Sequence, residues 1–220
     1  MFYHPMLQVT STLDYSGIIN GRAYVDLGLP SGTLWATCNV GANSPEGYGN
    51  YYACGETETK STYIWSNYKY CNGTERTLTK YCTNSNYGYN GYNNGPTELE
   101  AEDDAATANW DSNWQTPSKA QLQELYNSSY TTTEWTTLKG VNGRMITSKS
   151  NDNSIFLPAA GIYDYRGFQE AGFSGYYWSR SCSALYGTGA NFLSFSSGSI
   201  TANNVTSYCH GLSVRPVRKP

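Results

Sequence analysis

The stretch that decides the fold is residues 175–217, GYYWSRSCSALYGTGANFLSFSSGSITANNVTSYCHGLSVRPV. No charged residue occurs between positions 181 and 209, where Ser, Thr, Asn, Gly, Ala and Tyr predominate. A solvated loop would carry Lys, Glu or Asp, and a core strand would carry runs of Val, Ile and Leu. Tyr, Ser, Gly and Asn are instead typical of adaptable protein-binding surfaces, because Tyr offers a large contact area at low entropy cost.

The residue alphabet of this stretch is restricted. From position 180 to position 210 there is no Lys, Glu, Gln, Met or Trp. Every residue type that does occur can be encoded by a codon with one fixed pyrimidine in the third position and free first two bases. The missing types cannot be encoded in that way. The alternative interpretation is an ordinary β-region rich in Ser and Gly.

Length and composition set the class of protein. A chain of 220 residues predicts one large domain, or one domain with a short extension. The formal net charge is -3, and charged residues make up 14% of the chain against ~25% in typical soluble domains. Neither sign dominates, which argues against nucleic acid or an anionic membrane as partner. The 21 tyrosines indicate an extracytoplasmic or virion-surface binding protein rather than a cytosolic enzyme.

The six cysteines form no CxxC pair and no zinc-like cluster with His. A bridge between Cys71 and Cys82 is the most plausible local disulfide, and one between Cys182 and Cys209 could staple the final stretch. Free thiols are the alternative, so the cysteines leave the redox compartment open.

No segment is long and apolar enough to span a bilayer. The N-terminal sequence MFYHPMLQVTSTLDYSG lacks the basic start and the apolar run of a signal peptide. We expect a chain without a leader, as in a phage virion protein, or one that begins after its leader.

Alternating apolar residues bounded by turn residues predict short strands, the second of which buries Trp35. A further edge strand is predicted at residues 6–10. The clearer strands are 23–30, 33–40, 144–148 and 154–161.

The clearest helix is predicted over residues 116–126. Thr116 is a natural N-cap and Pro117 fits the first helical position. Leu122 and Leu125 fall three residues apart and give the helix one apolar face.

Long irregular segments separate these elements. Residues 57–97, rich in Thr, Tyr, Asn and Gly, are predicted to form a long surface insertion, and residues 163–173 a polar loop. Short strands, one good helix and long loops predict an α+β domain. The chain shows no βαβ alternation, which argues against a doubly wound parallel sheet.

Seven phrases in order carry a family resemblance: VDLGLPSGTLWA (25–36), YGNYYACGE (48–56), EDDAA (102–106), WQTP (114–117), IFLPAAG (155–161), YWS (177–179) and SVRPV (213–217). With them the chain resembles the Fibrobacter succinogenes major paralogous domain, which is widespread in gut Bacteroidetes and their phages. The chain departs from the family at Cys54, where Trp is usual, and in the insertion at 60–97. The resemblance implies a C-type lectin-like fold over residues 23–220, after an N-terminal lead-in at 1–22.

The resemblance also implies that residues 176–217 are the variable ligand-binding region of a protein diversified by a retroelement. In such systems template adenines are mutated during reverse transcription, so Asn codons become nearly any codon with the same final pyrimidine. The positions expected to vary and to contact ligand are Arg180, Ser183, Leu185, Tyr186, Thr188, Phe192, Ser194, Ser196, Ser199, Thr201, Asn203, Asn204, Val205, Thr206, Ser207, Tyr208, Cys209 and His210. The positions expected to form the fixed scaffold are Trp178, Ala190, Leu193, Phe195, Ile200, Gly211, Val214 and Arg215.

Strand periodicity agrees with this division. Alternate side chains of a strand point to opposite faces, so Leu193 and Phe195 are expected to be buried. Phe192, Ser194 and Ser196 would then face the ligand. We expect affinity to come from exposed aromatic side chains, namely Tyr186, Phe192 and Tyr208.

Catalysis has little support in the sequence. His4 and His210 are the only histidines, and a Ser-His-Asp or Cys-His arrangement would have to use the second of them. There is no Gly-rich phosphate loop. The C-type lectin-like fold also houses formylglycine-generating oxidases with reactive cysteines, a role for which Cys182 and Cys209 are the candidates.

A calcium ion is the one metal for which the sequence offers ligands. Glu102, Asp103 and Asp104 carry hard oxygen donors, although a cluster of carboxylates at a helix start is the alternative. The calcium motifs of sugar-binding animal lectins are absent. Arg215 is expected to hydrogen-bond buried carbonyls as part of the scaffold.

Together these features predict a non-enzymatic protein that binds a protein or glycan of a cell surface or host, with no cofactor. The binding face would be residues 180–210, flanked by the 60–97 and 163–173 loops. We expect an extracellular, cell-surface or virion location, with no nucleic-acid partner and no direct membrane insertion. The alternatives are a carbohydrate-binding adhesin or fimbrial-tip module of fixed specificity, and a cysteine-dependent oxidase.

Overall fold

Short strands dominate the chain, which a computed structural model describes over residues 13–95, 97–183 and 187–218. The architecture is α+β with two short helices and long loops, as predicted. The strand predicted at residues 6–10 lies outside the described residues. The strands are β1 Gly17–Ile19, β2 Arg22–Asp26, β3 Leu34–Ala36, β4 Tyr51–Tyr52, β5 Trp114–Gln115, β6 Thr131–Leu138, β7 Val141–Ser148, β8 Ser154–Pro158, β9 Ile162–Asp164, β10 Gly167–Gln169, β11 Gly175–Cys182, β12 Gly189–Phe195, β13 Ile200–Ser207, β14 Leu212–Ser213 and β15 Val217–Arg218. The helices are α1 Ala105–Asn109 and α2 Lys119–Glu124.

One five-stranded sheet joins the two ends of the described chain, in the order β1-β2-β3-β15-β5. Trp35 pairs with Val25 on one side and with Val217 on the other, and it is fully buried as predicted. Because β1 pairs with β2, the sheet already begins within the lead-in predicted at residues 1–22.

A second five-stranded sheet, in the order β13-β12-β11-β14-β4, is built mainly from the stretch that the sequence singled out. We call it the central sheet. Strands β11, β12 and β13 are antiparallel neighbours, and β14 returns parallel to β11 where Tyr177 pairs with Ser213. The segment between β13 and β14 therefore crosses from one edge of the sheet to the far side of β11.

Two apolar clusters cover the two faces of the central sheet. On the inner face, Tyr177, Leu193 and Phe195 pack with Leu122 and Leu125 beside α2. On the outer face, buried aromatic and small residues of β11 and β12 pack with tyrosines from the 57–97 segment. The sheet is thus a central layer, which explains why its strands are rich in buried residues on both sides.

Residues 57–97 are mostly exposed, as the sequence predicted, but several of their tyrosines are buried in the core. Tyr63, Tyr68, Leu78 and Tyr81 are at most 3% exposed and belong to the outer-face cluster. The tyrosine bodies pack while their hydroxyls find partners, as where Tyr68 donates to the Cys54 carbonyl at 2.8 Å. Because this packing follows no strand or helix period, periodicity could not reveal it.

Helix α2 begins later than the sequence predicted. Ser118 is the N-cap, and its hydroxyl accepts from the Gln121 amide while the Gln121 side chain accepts from the Ser118 amide. This reciprocal capping box satisfies two otherwise unpaired donors, which explains why the helix starts there and not at Thr116. Leu122 and Leu125 are buried, which confirms the predicted apolar face.

The remaining strands form two smaller sheets. The predicted strands at 144–148 and 154–161 correspond to β7 and β8, which join β6 in a three-stranded sheet. The polar loop predicted at 163–173 instead contains the antiparallel hairpin of β9 and β10. Neither helix has the length or the apolar character required to cross a membrane, within the part of the chain that the structure describes.

Buried Arg215 ties three segments together, as predicted. Its guanidinium donates to the Ala36, Thr37 and Phe156 carbonyls at 3.0–3.2 Å and to the Asn39 side chain at 2.9 Å. Burial lowers the pKa of this guanidinium. The residue is 1% exposed and is therefore part of the scaffold rather than of a ligand site.

Candidate binding surface

The register of the central sheet decides which predicted contact residues share a face. Side chains of directly paired residues point to the same side of a sheet. Ser194 pairs with Tyr176 on β11 and with Thr201 on β13. Asn204 pairs with Phe192, and Thr206 with Ala190, and these pairs lie on the same, outer face. The outer face therefore carries a polar row that we define as Ser194, Thr201, Asn204 and Thr206.

The polar row is solvent-accessible and neutral. Asn204 is exposed and the other three side chains are partly exposed. Asn204 donates to the Ser194 hydroxyl at 3.0 Å, and the Thr206 hydroxyl lies 2.8 Å from His210 Nδ1. The second contact links the row to the segment between β13 and β14. The row offers hydroxyl and amide groups for hydrogen bonds to a ligand without a net charge.

Two of the expected contact aromatics are buried, so their predicted exposure is wrong. Phe192 is 7% exposed, and its ring lies 5.9 Å from the Tyr176 ring. Tyr208 is fully buried, stacked 6.1 Å from Tyr68, and donates to the Tyr81 carbonyl at 3.1 Å. The cause is tertiary, because both side chains belong to the outer-face cluster.

Other predicted contact positions are also buried or committed to the scaffold. Ser183 and Cys209 are 6% and 2% exposed and cannot contact a ligand. Arg180 pairs with Glu98 at 2.7 Å and donates to the Gln115 side chain at 3.0 Å. Ser183 and Cys209 are therefore scaffold residues rather than contact residues, whereas Arg180 stays partly exposed.

Three predicted contact positions lie on the wrong side of the sheet. Val205 pairs with Asn191 and Ser207 pairs with Gly189, which places both on the inner face. Asn203, at an irregularity in the register, accepts from the Gln123 amide of α2 at 2.9 Å. These positions cannot join the polar row in one flat contact.

The turn between β12 and β13 is held by an arginine. Ser196 and Ser199 are hydrogen-bonded to each other, and Arg144 Nη2 donates to both of their carbonyls, at 2.6 and 3.2 Å.

The remaining predicted contact positions precede β12. The Thr188 carbonyl accepts from the Tyr208 amide. The last two contact candidates, Leu185 and Tyr186, lie outside the described residues.

The predicted scaffold positions are almost all buried, which agrees with their expected role. Trp178 donates from its ring nitrogen to the Tyr52 carbonyl at 2.7 Å. Gly211 has no room for a side chain, because an added Cβ would lie 2.7 Å from the Tyr63 ring. Ile200 alone is partly exposed. The buried positions are Trp178, Ala190, Leu193, Phe195, Gly211, Val214 and Arg215.

The β9–β10 hairpin is the aromatic element that the sequence did not reveal. Tyr165 at its tip, Phe168 on β10 and Phe173 just beyond it are 77%, 42% and 75% exposed. The turn is fixed by Asp164, whose carboxylate accepts from the Arg166 amide and guanidinium at 2.6–3.3 Å. The signal in the sequence is the Asp-Tyr-Arg-Gly run, which places Gly at the φ +94° position of the turn.

The hairpin adjoins the outer face of the central sheet. Tyr163 and Gly211 exchange backbone hydrogen bonds at 2.9 Å, and Tyr176 donates to the Glu170 carboxylate at 2.5 Å. Burial lowers the pKa of His210 below its usual value, although the neighbouring Asp164 carboxylate partly opposes this shift. The hairpin is therefore hydrogen-bonded to the segment that carries His210 and to β11, next to the polar row.

The two cysteines proposed for an oxidase, Cys182 and Cys209, are buried. All six are free thiols, so neither predicted disulfide is formed. Burial raises the pKa of both Cys182 and Cys209 to about 12. The thiolate is the reactive form, so these thiols stay protonated and unreactive at neutral pH.

The acidic cluster differs from the predicted set. Glu100, Glu102 and Asp103 lie close enough to hold a metal ion, with ligand atoms within 4.8 Å of one another. The Lys80 ammonium already contacts all three carboxylates, at 2.5–3.3 Å. Asp104 is instead the N-cap of α1 and accepts from the Ala106 and Thr107 amides. The helix-start alternative is thus correct for this residue.

Comparison with protein-family models, with curated proteins and with solved structures found no match to this chain. The sequence pattern and the geometry of the polar row and the hairpin are the observations that bear on function. What that geometry offers is a row of neutral hydrogen-bonding groups on a rigid sheet, beside exposed aromatic rings.

Proposed function

We propose that this protein is a non-enzymatic ligand-binding protein with a C-type lectin-like fold, and that its polar row is a surface diversified by a retroelement. The observation that carries the proposal is that β12 and β13 each have both buried and accessible side chains. Their buried side chains form two cores, while Ser194, Thr201, Asn204 and Thr206 remain accessible.

This division lets the surface change without loss of the fold. Substitution of exposed side chains usually alters stability by less than about 0.5 kcal/mol. Truncation of a buried Phe costs about 3–5 kcal/mol. A sheet covered on both faces can thus keep its backbone fixed while four neighbouring side chains vary. Rigid scaffolds that carry variable contacts are a common solution in binding proteins.

The restricted residue alphabet supports the same proposal. Each member of the polar row is of a type reached by codons with a fixed final pyrimidine, and so are its neighbours from position 180 to position 210. Of the eighteen candidate contact residues, this row and His210 are the ones on which we base the proposal, because they are accessible and lie next to one another. The ligand is then a protein or glycan of a cell surface or host, and the place of action is extracellular or on a virion.

The oxidase alternative is disfavoured by the protonated, buried thiols of Cys182 and Cys209. An adhesin of fixed specificity would use the same surface. The two binding hypotheses differ in one respect, because only a diversified surface must tolerate many side chains at the polar row.

Two displayed libraries test the proposal. One randomises Ser194, Thr201, Asn204 and Thr206, and the matched control randomises the buried Phe192, Leu193, Phe195 and Tyr208. Protease resistance of each clone measures folding. We expect most clones of the first library to stay folded and very few of the second. Selection of the first library on biotinylated serum albumin should also yield binders.

Equal loss of folding in both libraries would refute the proposal, because the polar row would then be part of the scaffold. A folded first library that yields no binder to any of several unrelated protein or glycan probes would favour the adhesin of fixed specificity.

A further inference from the structure

We propose that the β9–β10 hairpin is the aromatic anchor of the binding surface and that its partner is a protein chain. The inference rests on the proposed function and adds the class of ligand. Its contact residues are Tyr165, Phe168 and Phe173, none of which belongs to the diversified stretch. The anchor would supply affinity common to all variants, while the polar row supplies specificity.

Ring packing holds the two strands of the hairpin against the rest of the protein. The Tyr163 and Phe168 rings stack at 4.8 Å across the two strands. Tyr51 packs edge-on against both rings, at 5.0 and 5.4 Å, and Tyr63 packs against Tyr163 at 5.3 Å. Tyr51 and Tyr63 are themselves fixed by hydrogen bonds from their hydroxyls to backbone carbonyls. An anchor held in this way loses little conformational entropy when a partner binds.

The anchor and the polar row can engage one partner together. Gly211 bonds to Tyr163, and its neighbour His210 contacts Thr206 of the row. On the other side, Glu170 after β10 accepts from Tyr176, whose cross-strand partner is Ser194. The hairpin is therefore connected to the row at two points, so a ligand that covers one is adjacent to the other.

The shape and chemistry of the anchor favour a protein partner over a glycan. Side chains that are three-quarters exposed protrude, whereas small ligands are bound in concave sites that bury most of their surface. Tyr and Arg are enriched at the centres of protein interfaces, and the Arg166 guanidinium lies 5.6 Å from the Tyr165 ring. Asp164 pairs with Arg166, so the hairpin tip carries no net charge that would demand an ionic ligand.

Panning of a library of random peptides on the whole protein tests the inference, with an array of neutral glycans as the competing probe. Enriched peptides are expected to compete with one another for one site. Their Kd should rise about tenfold or more, or ~1.4 kcal/mol, with Tyr165→Ala or Phe173→Ala. The matched control is Tyr15→Ala, which removes a 55% exposed tyrosine that lies before β1 and outside the hairpin. This control should leave the Kd unchanged.

Three results would overturn the inference. They are the absence of any enriched peptide, peptides that tolerate both hairpin substitutions, and glycan binding that depends on Tyr165. Peptides that are sensitive to Asn204→Lys but not to Tyr165→Ala would refute the anchor and leave the proposed function standing. Circular dichroism of each variant confirms that the hairpin substitutions have not unfolded the protein.

Discussion

Replacement of Arg215 by Met should destabilise the protein more than any change on the polar row. The substitution removes a buried guanidinium that bonds to four neutral acceptors on two other segments, at 2.9–3.2 Å. Each buried acceptor left without a donor costs about 1–3 kcal/mol. Met keeps the apolar stem and also removes the cost of burying a charge, which offsets part of the loss.

We therefore expect a net loss of about 3–5 kcal/mol in the free energy of unfolding, because four unpaired acceptors at about 1–3 kcal/mol each outweigh the relief from burying a charge. Lys at this position keeps the charge but has three donors and no planar fork, so Arg215→Lys should recover only part of the loss. Urea unfolding followed by Trp fluorescence measures both changes. The matched control is the exposed Arg218→Met, three residues further along, which should change stability by less than about 0.5 kcal/mol.

A loss below about 1 kcal/mol for Arg215→Met would refute this reasoning. It would mean that water or neighbouring donors satisfy the Ala36, Thr37 and Phe156 carbonyls without the guanidinium. An equal loss in Arg218→Met would assign the effect to charge rather than to the buried bonds.

Three further predictions concern burial, charge and thiol chemistry. Phe192→Ala should cost about 3–5 kcal/mol in urea unfolding and Asn204→Ala less than about 0.5, and equal costs would contradict the assigned faces. Burial opposes ionisation of Asp103, yet bonds led by that from Lys80 outweigh it and lower its pKa. The ionised Asp103 should thus stabilise the fold above its unfolded pKa, and this stabilisation should be lost as the pH falls through the lower folded pKa. In Asp103→Asn, the free energy of unfolding should therefore fall less steeply as the pH is lowered through this range. Finally, Cys182 and Cys209 should react with a thiol reagent at neutral pH only after unfolding, and rapid native labelling would contradict their raised pKa.

Local sequence signals predicted the parts of the fold that local physics controls. The alternation along β12 correctly predicts that Leu193 and Phe195 are buried, because strand geometry alone fixes which side chains share a face. The role of Arg215 was also predictable, since an arginine within an apolar run has to find carbonyl partners.

Features of the structure that depend on contacts with distant segments cannot be predicted from local sequence patterns. Phe192 and Tyr208 are predicted at the surface, but they are buried in the outer-face cluster, where Tyr208 stacks on Tyr68 of the 57–97 segment. That segment has no period of 2 or 3.6, so nothing in its own pattern marks Tyr68 or Tyr81 as core. The hairpin with Tyr165 was hidden for a related reason, since its strands are short and most of its order comes from rings contributed by other elements.

The central claim is that programmed change falls on the polar row, and the encoding DNA tests it most directly. The measurement is to sequence the codons for residues 176–217 and several kilobases on either side. The account predicts a nearby near-copy of this stretch and a reverse transcriptase gene. Adenines in the copy should mark the mismatched bases, which should include codons of Ser194, Thr201, Asn204 and Thr206 and spare those of Trp178, Leu193 and Arg215. The absence of a near-copy, or mismatches concentrated in the buried scaffold codons, would contradict it.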